Sequence, residues 1–263
     1  MRFESSLGSI YYEYQPKSEG VVLAFFHVLA SDHSMFKKQW PRFETTHSVL
    51  VWDMPWHGQS VYPAIEFSIA TIVEVFVELL DHLGVERVVI SGVSMGGYIA
   101  QHVALHYPSR VAALHLDSAH PLHLPFNKGV HILMRLHSLG LRVMPKGLIS
   151  VLASRLLSTD APSKALIRSH FQTFSRRHLI FLAEGAKYEI LKGTSTFPDQ
   201  ATLLTNGAKD FRFIERRNIQ AESDHHNVTH VIVSEGGHMH VKTYPSAYES
   251  TLRRFLSAWG LNE

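Results

Sequence analysis

Gly92-Val93-Ser94-Met95-Gly96 is the stretch that most constrains what this chain can become. An apolar, β-branched run, Val88-Val89-Ile90, precedes it, and the helix-like segment Tyr98-Ile99-Ala100-Gln101-His102-Val103-Ala104-Leu105 follows. The order is therefore strand, tight turn, helix, with a serine at the turn. Glycines on both sides let strand and helix approach closely and let Ser94 take a strained backbone that lifts its hydroxyl clear of the sheet edge. The helix directs its free amides and its positive end at the same point. Taken without its flanks, the pentapeptide would equally suit a Gly-rich turn with an incidental serine.

The flanking sequence extends this pattern in both directions. Met1–Glu4 and Ile10–Tyr14 read as a hairpin turning near Leu7-Gly8-Ser9, and residues 15–20 read as a polar loop. Val21–Phe26, Ser48–Trp52 and Val111–Leu116 are short continuous apolar runs, the signature of strands buried on both faces of a parallel sheet. A short helix or turn is expected over Met35–Arg42. A helix is predicted over Phe67–Leu83, where Ile69, Ile72, Val75, Phe76, Leu79 and Leu80 recur at three- and four-residue steps and Gly84 closes the run. Strand and helix thus alternate from residue 21 to 117, which implies an α/β fold: a mainly parallel sheet with helices on both faces.

The rhythm changes between about Pro121 and Phe197. Val130–Leu139, Lys146–Leu157, Ser163–Phe174 and Arg177–Lys187 read as helices with no strand among them. Strands return at Ala201–Thr205 and Val231–Val233, and Ser246–Ala258 reads as a closing helix. The expected organisation is a core of residues 1–120 and 198–263, with residues 121–197 inserted as a helical cap over the sheet's C-terminal edge, where open α/β sheets bind ligands.

Composition bounds the chemistry. With 263 residues, 45% apolar and 18% charged, one large domain with a sizeable core is expected. A net charge of +2 gives no indication of a nucleic-acid or anionic-membrane partner. The absence of cysteine excludes disulfides, thiol catalysis and Cys-based zinc sites. No window is long and apolar enough to span a membrane, and Met1–Leu7 lacks the core of a secretory signal, so the expected compartment is the cytoplasm.

A serine hydroxyl needs a base, and the base needs a group that holds its tautomer. Asn206-Gly207-Ala208-Lys209-Asp210 follows one late strand and Glu235-Gly236-Gly237-His238 the other, which gives the chain order Ser94, Asp210, His238. Asp117, at the end of the preceding strand, competes with Asp210 for the acid. His240 is expected as a pocket wall or surface residue, and His27 and His57 as loop hydrogen-bonders. His238-Met239-His240 and His225-His226 lack the converging ligands of a zinc site, so no metal is expected.

These pieces together resemble the α/β-hydrolase superfamily over essentially the whole length. They are the elbow at Gly92–Gly97, the segment Asp53-x-Pro55-x-His57-Gly58-x-Ser60, Gly207-x-x-Asp210 and Gly236-Gly237-His238. The resemblance implies Ser94 as nucleophile, His238 as general base and acid, Asp210 as orienting carboxylate, and residues 121–197 as the cap. It implies an oxyanion hole from the amides of Met95 and Leu29, although Val28 stands where relatives carry glycine. It further implies a small-molecule substrate, no cofactor, and a monomer or homodimer; the apolar segments of the middle block point to a small or medium uncharged ester or lactone. Serine at position 94 argues against the dehalogenase and epoxide hydrolase members, which carry aspartate there. Carbon–carbon bond hydrolysis and acyl transfer use the same triad. A receptor role is a second reading, because residues 27–35 resemble the corresponding loop of small-molecule receptors of this fold.

Overall fold

The computed structural model describes residues 1–17, 20–63 and 66–261, and the side chains of all of these except Leu133 and His137. The polar loop expected over 15–20 lies partly outside the described residues. The N-terminal hairpin is β1 (Arg2–Glu4) and β2 (Ser9–Gln15), followed by β3 (Val22–Phe26), the short α1 (Trp40–Phe43) and β4 (Ser48–Trp52). Next come α2 (Ile69–His82), β5 (Val88–Val93), α3 (Met95–His106) and β6 (Val111–Asp117). Four helices then follow without a strand: α4 (Lys128–Val143), α5 (Lys146–Leu157), α6 (Ala161–Thr173) and α7 (Arg176–Lys192). The chain closes with β7 (Ala201–Gly207), α8 (Arg212–Asp224), β8 (Val228–Val233), α9 (His240–Thr243) and α10 (Pro245–Ala258).

All eight strands form one sheet in the order β1-β2-β4-β3-β5-β6-β7-β8. The hairpin pairs antiparallel, and every ladder from β4 to β8 is parallel. Side chains of a strand alternate between faces, and here both faces are covered. Val22, Ala24, Phe26, Leu50, Trp52 and Ile90 pack toward α2 and α3. Leu23, Phe25, Val49, Val51 and Val89 pack toward Phe36, Phe43 and α10. This double coverage is the reason the strands read as continuous apolar runs. The Phe26, Trp52 and Phe76 rings meet at centroid distances of 4.6–5.2 Å, each fully buried ring contributing roughly 1.5–3 kcal/mol.

Helix α2 starts where Ser68 accepts from the Thr71 amide at 3.2 Å and stops before Gly84, whose φ of +65° suits a residue without Cβ. Helices α8 and α9 and strand β8 depart from the sequence reading, α9 being a single turn that was not expected. Helix α8 was not expected, because its buried positions are only Ile214, Asn218 and Ala221, too few apolar residues to set a period. β8 begins three residues earlier than expected: it is an edge strand whose exposed Thr229 and Ile232 and half-buried His230 break the run. Between β6 and β7, α4 packs on α7 and α5 on α6. Asp160 caps α6 and its Oδ2 accepts from Thr243 Oγ1 at 2.6 Å, tying this helical block to the segment after β8. No helix among the described residues is long and apolar enough to cross a membrane.

Candidate active site

Ser94 sits between β5 and α3 with φ 51° and ψ −112°, a conformation that costs a non-glycine residue roughly 1–3 kcal/mol. The flanking glycines are needed for space. A Cβ on Gly92 would lie 2.4 Å from Gly96, and one on Gly96 would lie 2.2 Å from the Phe26 carbonyl oxygen, so β3, β5 and α3 could not close. The Ser94 amide donates to the Asp117 carbonyl at 2.8 Å. Its own carbonyl accepts from Gly97 and Tyr98. The Met95 amide opens α3, where N–H groups have no intrahelical acceptor.

The loops after β7 and β8 bring two more side chains to this turn. His238 Nε2 lies 3.0 Å from Ser94 Oγ, and His238 Nδ1 lies 2.8 Å from Asp210 Oδ1. With Nδ1–H donating to the carboxylate, Nε2 is free to accept the serine proton. The Asp210 side chain is 1% exposed. Burial alone would raise its pKa, but the adjacent His238 ring and the Phe211 amide, which donates to Oδ1 at 2.7 Å, bring it below the ordinary carboxylate range. The Phe211 ring stands edge-on to His238 at 5.2 Å and limits water on that side.

Asp117 is engaged elsewhere. It terminates a buried chain of donors: Tyr248 to Ser91 at 2.5 Å, Ser91 to His115 Nδ1 at 2.8 Å, His115 Nε2 to Thr205 at 2.8 Å, and Thr205 to Asp117 Oδ1 at 2.7 Å. The direction is self-consistent because burial pushes His115 down to about 4, leaving one ring nitrogen to donate and one to accept. His240 Nε2 lies 2.8 Å from the same carboxylate oxygen. The expectation of His240 as pocket wall or surface is corrected: it is 1% exposed and is Asp117's ionic partner. Burial opposes its charge, but Asp117 outweighs burial and raises its pKa. Replacing His240 with alanine leaves that carboxylate buried without its cation, and we expect a loss of about 3 kcal/mol, measured by urea unfolding. Because the folded imidazole has the raised pKa, its ionic contribution is complete below pH 6.5 and fades as pH climbs through the raised value. The gap between the two proteins should therefore narrow toward alkaline pH.

The loop after β3 carries the other expected donor. His27 Nδ1 bonds the Val28 carbonyl at 2.7 Å and its Nε2 accepts from the Met54 amide at 3.2 Å; His57 Nδ1 donates to the Pro55 carbonyl at 2.9 Å. Both histidines serve their loops, as the sequence implied. The left-handed residue here is Ala30, with φ 55°, two positions past Val28. Val28 thus occupies a position that does not demand glycine, and Leu29 lies half-buried between them. Of the paired histidines, His225 stacks on Phe197 at 5.0 Å. Three participants escaped the sequence reading: Phe211, Thr205 and the Asp117–His240 pairing. The residue following Asp210 could have been found by position, whereas the pairing had no local signal.

A family model described as alpha/beta hydrolase fold matches residues 21–153, half of the chain. The chain belongs to the α/β-hydrolase fold family. Over 88 residues it is 33% identical to 3-oxoadipate enol-lactonase 2 of Acinetobacter baylyi, a match covering 34% of this chain and 33% of that protein. The chain spans about a third of the length of that relative. Among solved structures it is similar to a hydrolase from Pseudomonas aeruginosa PA01, at TM-score 0.82, 20% identity and 97% coverage of both chains. It is also similar to a thermophilic esterase from Thermogutta terrifontis, at TM-score 0.79, 20% identity and 98% coverage of both. The enol-lactonase from Burkholderia xenovorans LB400 follows at TM-score 0.77 and 16% identity, over 96% of this chain and 99% of that one. At these identities the structural likeness speaks for the fold.

Proposed function

We propose that this protein is a serine hydrolase that cleaves small or medium uncharged esters or lactones through an acyl-enzyme, with a carboxylesterase-like reaction. The observation that carries this reading is the alignment of Ser94 Oγ, His238 and Asp210 at 3.0 and 2.8 Å. Ser94 attacks the acyl carbon while His238 Nε2 takes its proton, and Asp210 stabilises the resulting imidazolium. The amides of Met95 and Leu29 receive the oxyanion. His238 then protonates the leaving alcohol, and water activated by the same ring releases the acid. Residues 121–197 act as the lid over the core formed by 1–120 and 198–263.

The uncharged acyl preference rests on a narrow cleft lined by Leu29, Leu157, Leu166, Ile167, Phe171 and Met239, the last of them next to His238 in the chain, with His170 and Ser31 as its polar side chains. Such a lining leaves a substrate carboxylate without a partner. A series of p-nitrophenyl and lactone substrates tests the reading. A pre-steady-state burst is expected, with the hexanoyl ester turned over at least about tenfold faster than a succinyl ester. Equal rates for charged and apolar acyl groups overturn the substrate class, and turnover without a burst overturns an accumulating acyl-enzyme.

A second reading, carried by the resemblance of residues 27–35 to the corresponding loop of such receptors, is a small-molecule receptor of the same fold. A single slow turnover accompanied by a ligand-dependent shift in Tm would select it.

A further inference from the structure

The charge of this chain is unevenly divided. Residues 121–197 hold eleven of the 25 Lys and Arg but three of the 23 Asp and Glu, a net +8 that leaves −6 for the remainder. No acidic residue occurs between Asp117 and Asp160. The whole-chain value of +2 averages away two opposed fields, which is why it gave no sign of an anionic partner.

The same basic segment turns apolar side chains outward. On α4, Ile132, Leu136, Leu139 and Val143 are 60–71% exposed, while Ser138 and Leu141 on the same helix are buried. At about 100° per residue the four aliphatic residues form one stripe, and Lys128, Arg135 and Arg142 run along one flank of it. Helix α5 exposes Leu148, Leu152 and Leu156 at four-residue steps, together with Arg155. Lys128, Arg135 and Arg155 have no carboxylate partner among the described residues, and Arg142 approaches only Glu184, at 3.9 Å. Single exposed leucines need no explanation. A stripe on successive turns with cations along its edge has the layout of a helix that lies in a lipid interface.

We propose that α4 docks this protein on an anionic lipid surface, with Ile132, Leu136, Leu139 and Val143 entering the headgroup boundary and Lys128, Arg135 and Arg142 meeting lipid phosphates. The charge pattern selects this occupant over a second copy of the chain. A two-fold contact through α4 would set Arg135 and Arg142 of one copy toward those of the other, with no acidic residue on the helix to offset them. It also selects lipid over nucleic acid, which would engage the cations but leave the aliphatic stripe in water. The proposal stands apart from the hydrolase reading and survives its failure.

Vesicle co-sedimentation tests it, using phosphatidylcholine alone and phosphatidylcholine with about 30% phosphatidylglycerol in about 0.1 M salt. We expect at least about tenfold stronger binding to the anionic vesicles. The pair Leu136→Ser with Leu139→Ser, and separately Arg135→Gln with Arg142→Gln, should each weaken it about tenfold. Tm and vesicle-free ester turnover should be unchanged in both, because these side chains face solvent. The proposal is overturned by absent binding, by equal binding to both vesicle types, or by anionic binding that survives the leucine pair. It is equally overturned by a dimer in light scattering that the leucine pair dissociates, or by oligonucleotide binding that exceeds vesicle binding.

Discussion

Replacing Ser94 with alanine is expected to lower kcat on p-nitrophenyl esters by about 10⁶-fold and to abolish the burst. The magnitude follows from the proposed route. Without Oγ there is no acyl-enzyme, and His238 is left to activate water in a site shaped for a serine adduct. The residual rate, about 10³ above the reaction in water, comes from the oxyanion amides and from binding. Alanine keeps the backbone at φ 51° and loses one half-buried hydrogen bond to His238, so stability should move by no more than about 1 kcal/mol. Single-turnover kinetics beside urea unfolding separate the two effects. A variant that retains a hundredth of the activity removes Ser94 from the mechanism.

Replacing Asp210 with asparagine is expected to lower kcat by about 10⁴-fold, because the amide can donate to Nδ1 and so stabilises the tautomer in which Nε2 carries the proton. Asp117→Asn is the control. Its carboxylate meets Thr205 and His240 and is not bonded to His238, so we expect turnover within about tenfold of the parent and a loss of stability instead, the mark of a disrupted buried ion pair. The opposite ranking of the two variants in activity would transfer the acid role to Asp117.

The comparison of those two aspartates shows where sequence reading ends. Both follow apolar strands, and β6 and β7 are neighbours in the sheet, with Asp117 in register with Thr205. His238 and His240 are two residues apart. Four groups so placed can pair in two ways, and spacing does not distinguish them. The loop from Gly207 to Asp210 carries that carboxylate past the sheet edge to His238, while Asp117 remains at its strand end beneath the turn at Gly237, where His240 reaches it.

The α4 stripe carries a related lesson. Its aliphatic residues recur at helical spacing, within and beyond the helix predicted over Val130–Leu139. The period reports that a helix has an apolar face but not what that face meets. Here the packed positions include Ser138, and the aliphatic stripe is outside.

By itself the sequence determined the alternation of strands and helices, the strained serine turn and the order of Ser94, Asp210 and His238 along the chain. These follow from local rules: a strand buried on both faces must be continuously apolar, and a strand-to-helix turn this tight needs glycine two positions before and two after the serine. Tertiary structure alone decided which aspartate meets which histidine, where the loop beside Val28 takes its left-handed residue, and which face of the α4–α7 block meets solvent. Each depends on distances between segments far apart in the chain, and no local periodicity carries that information.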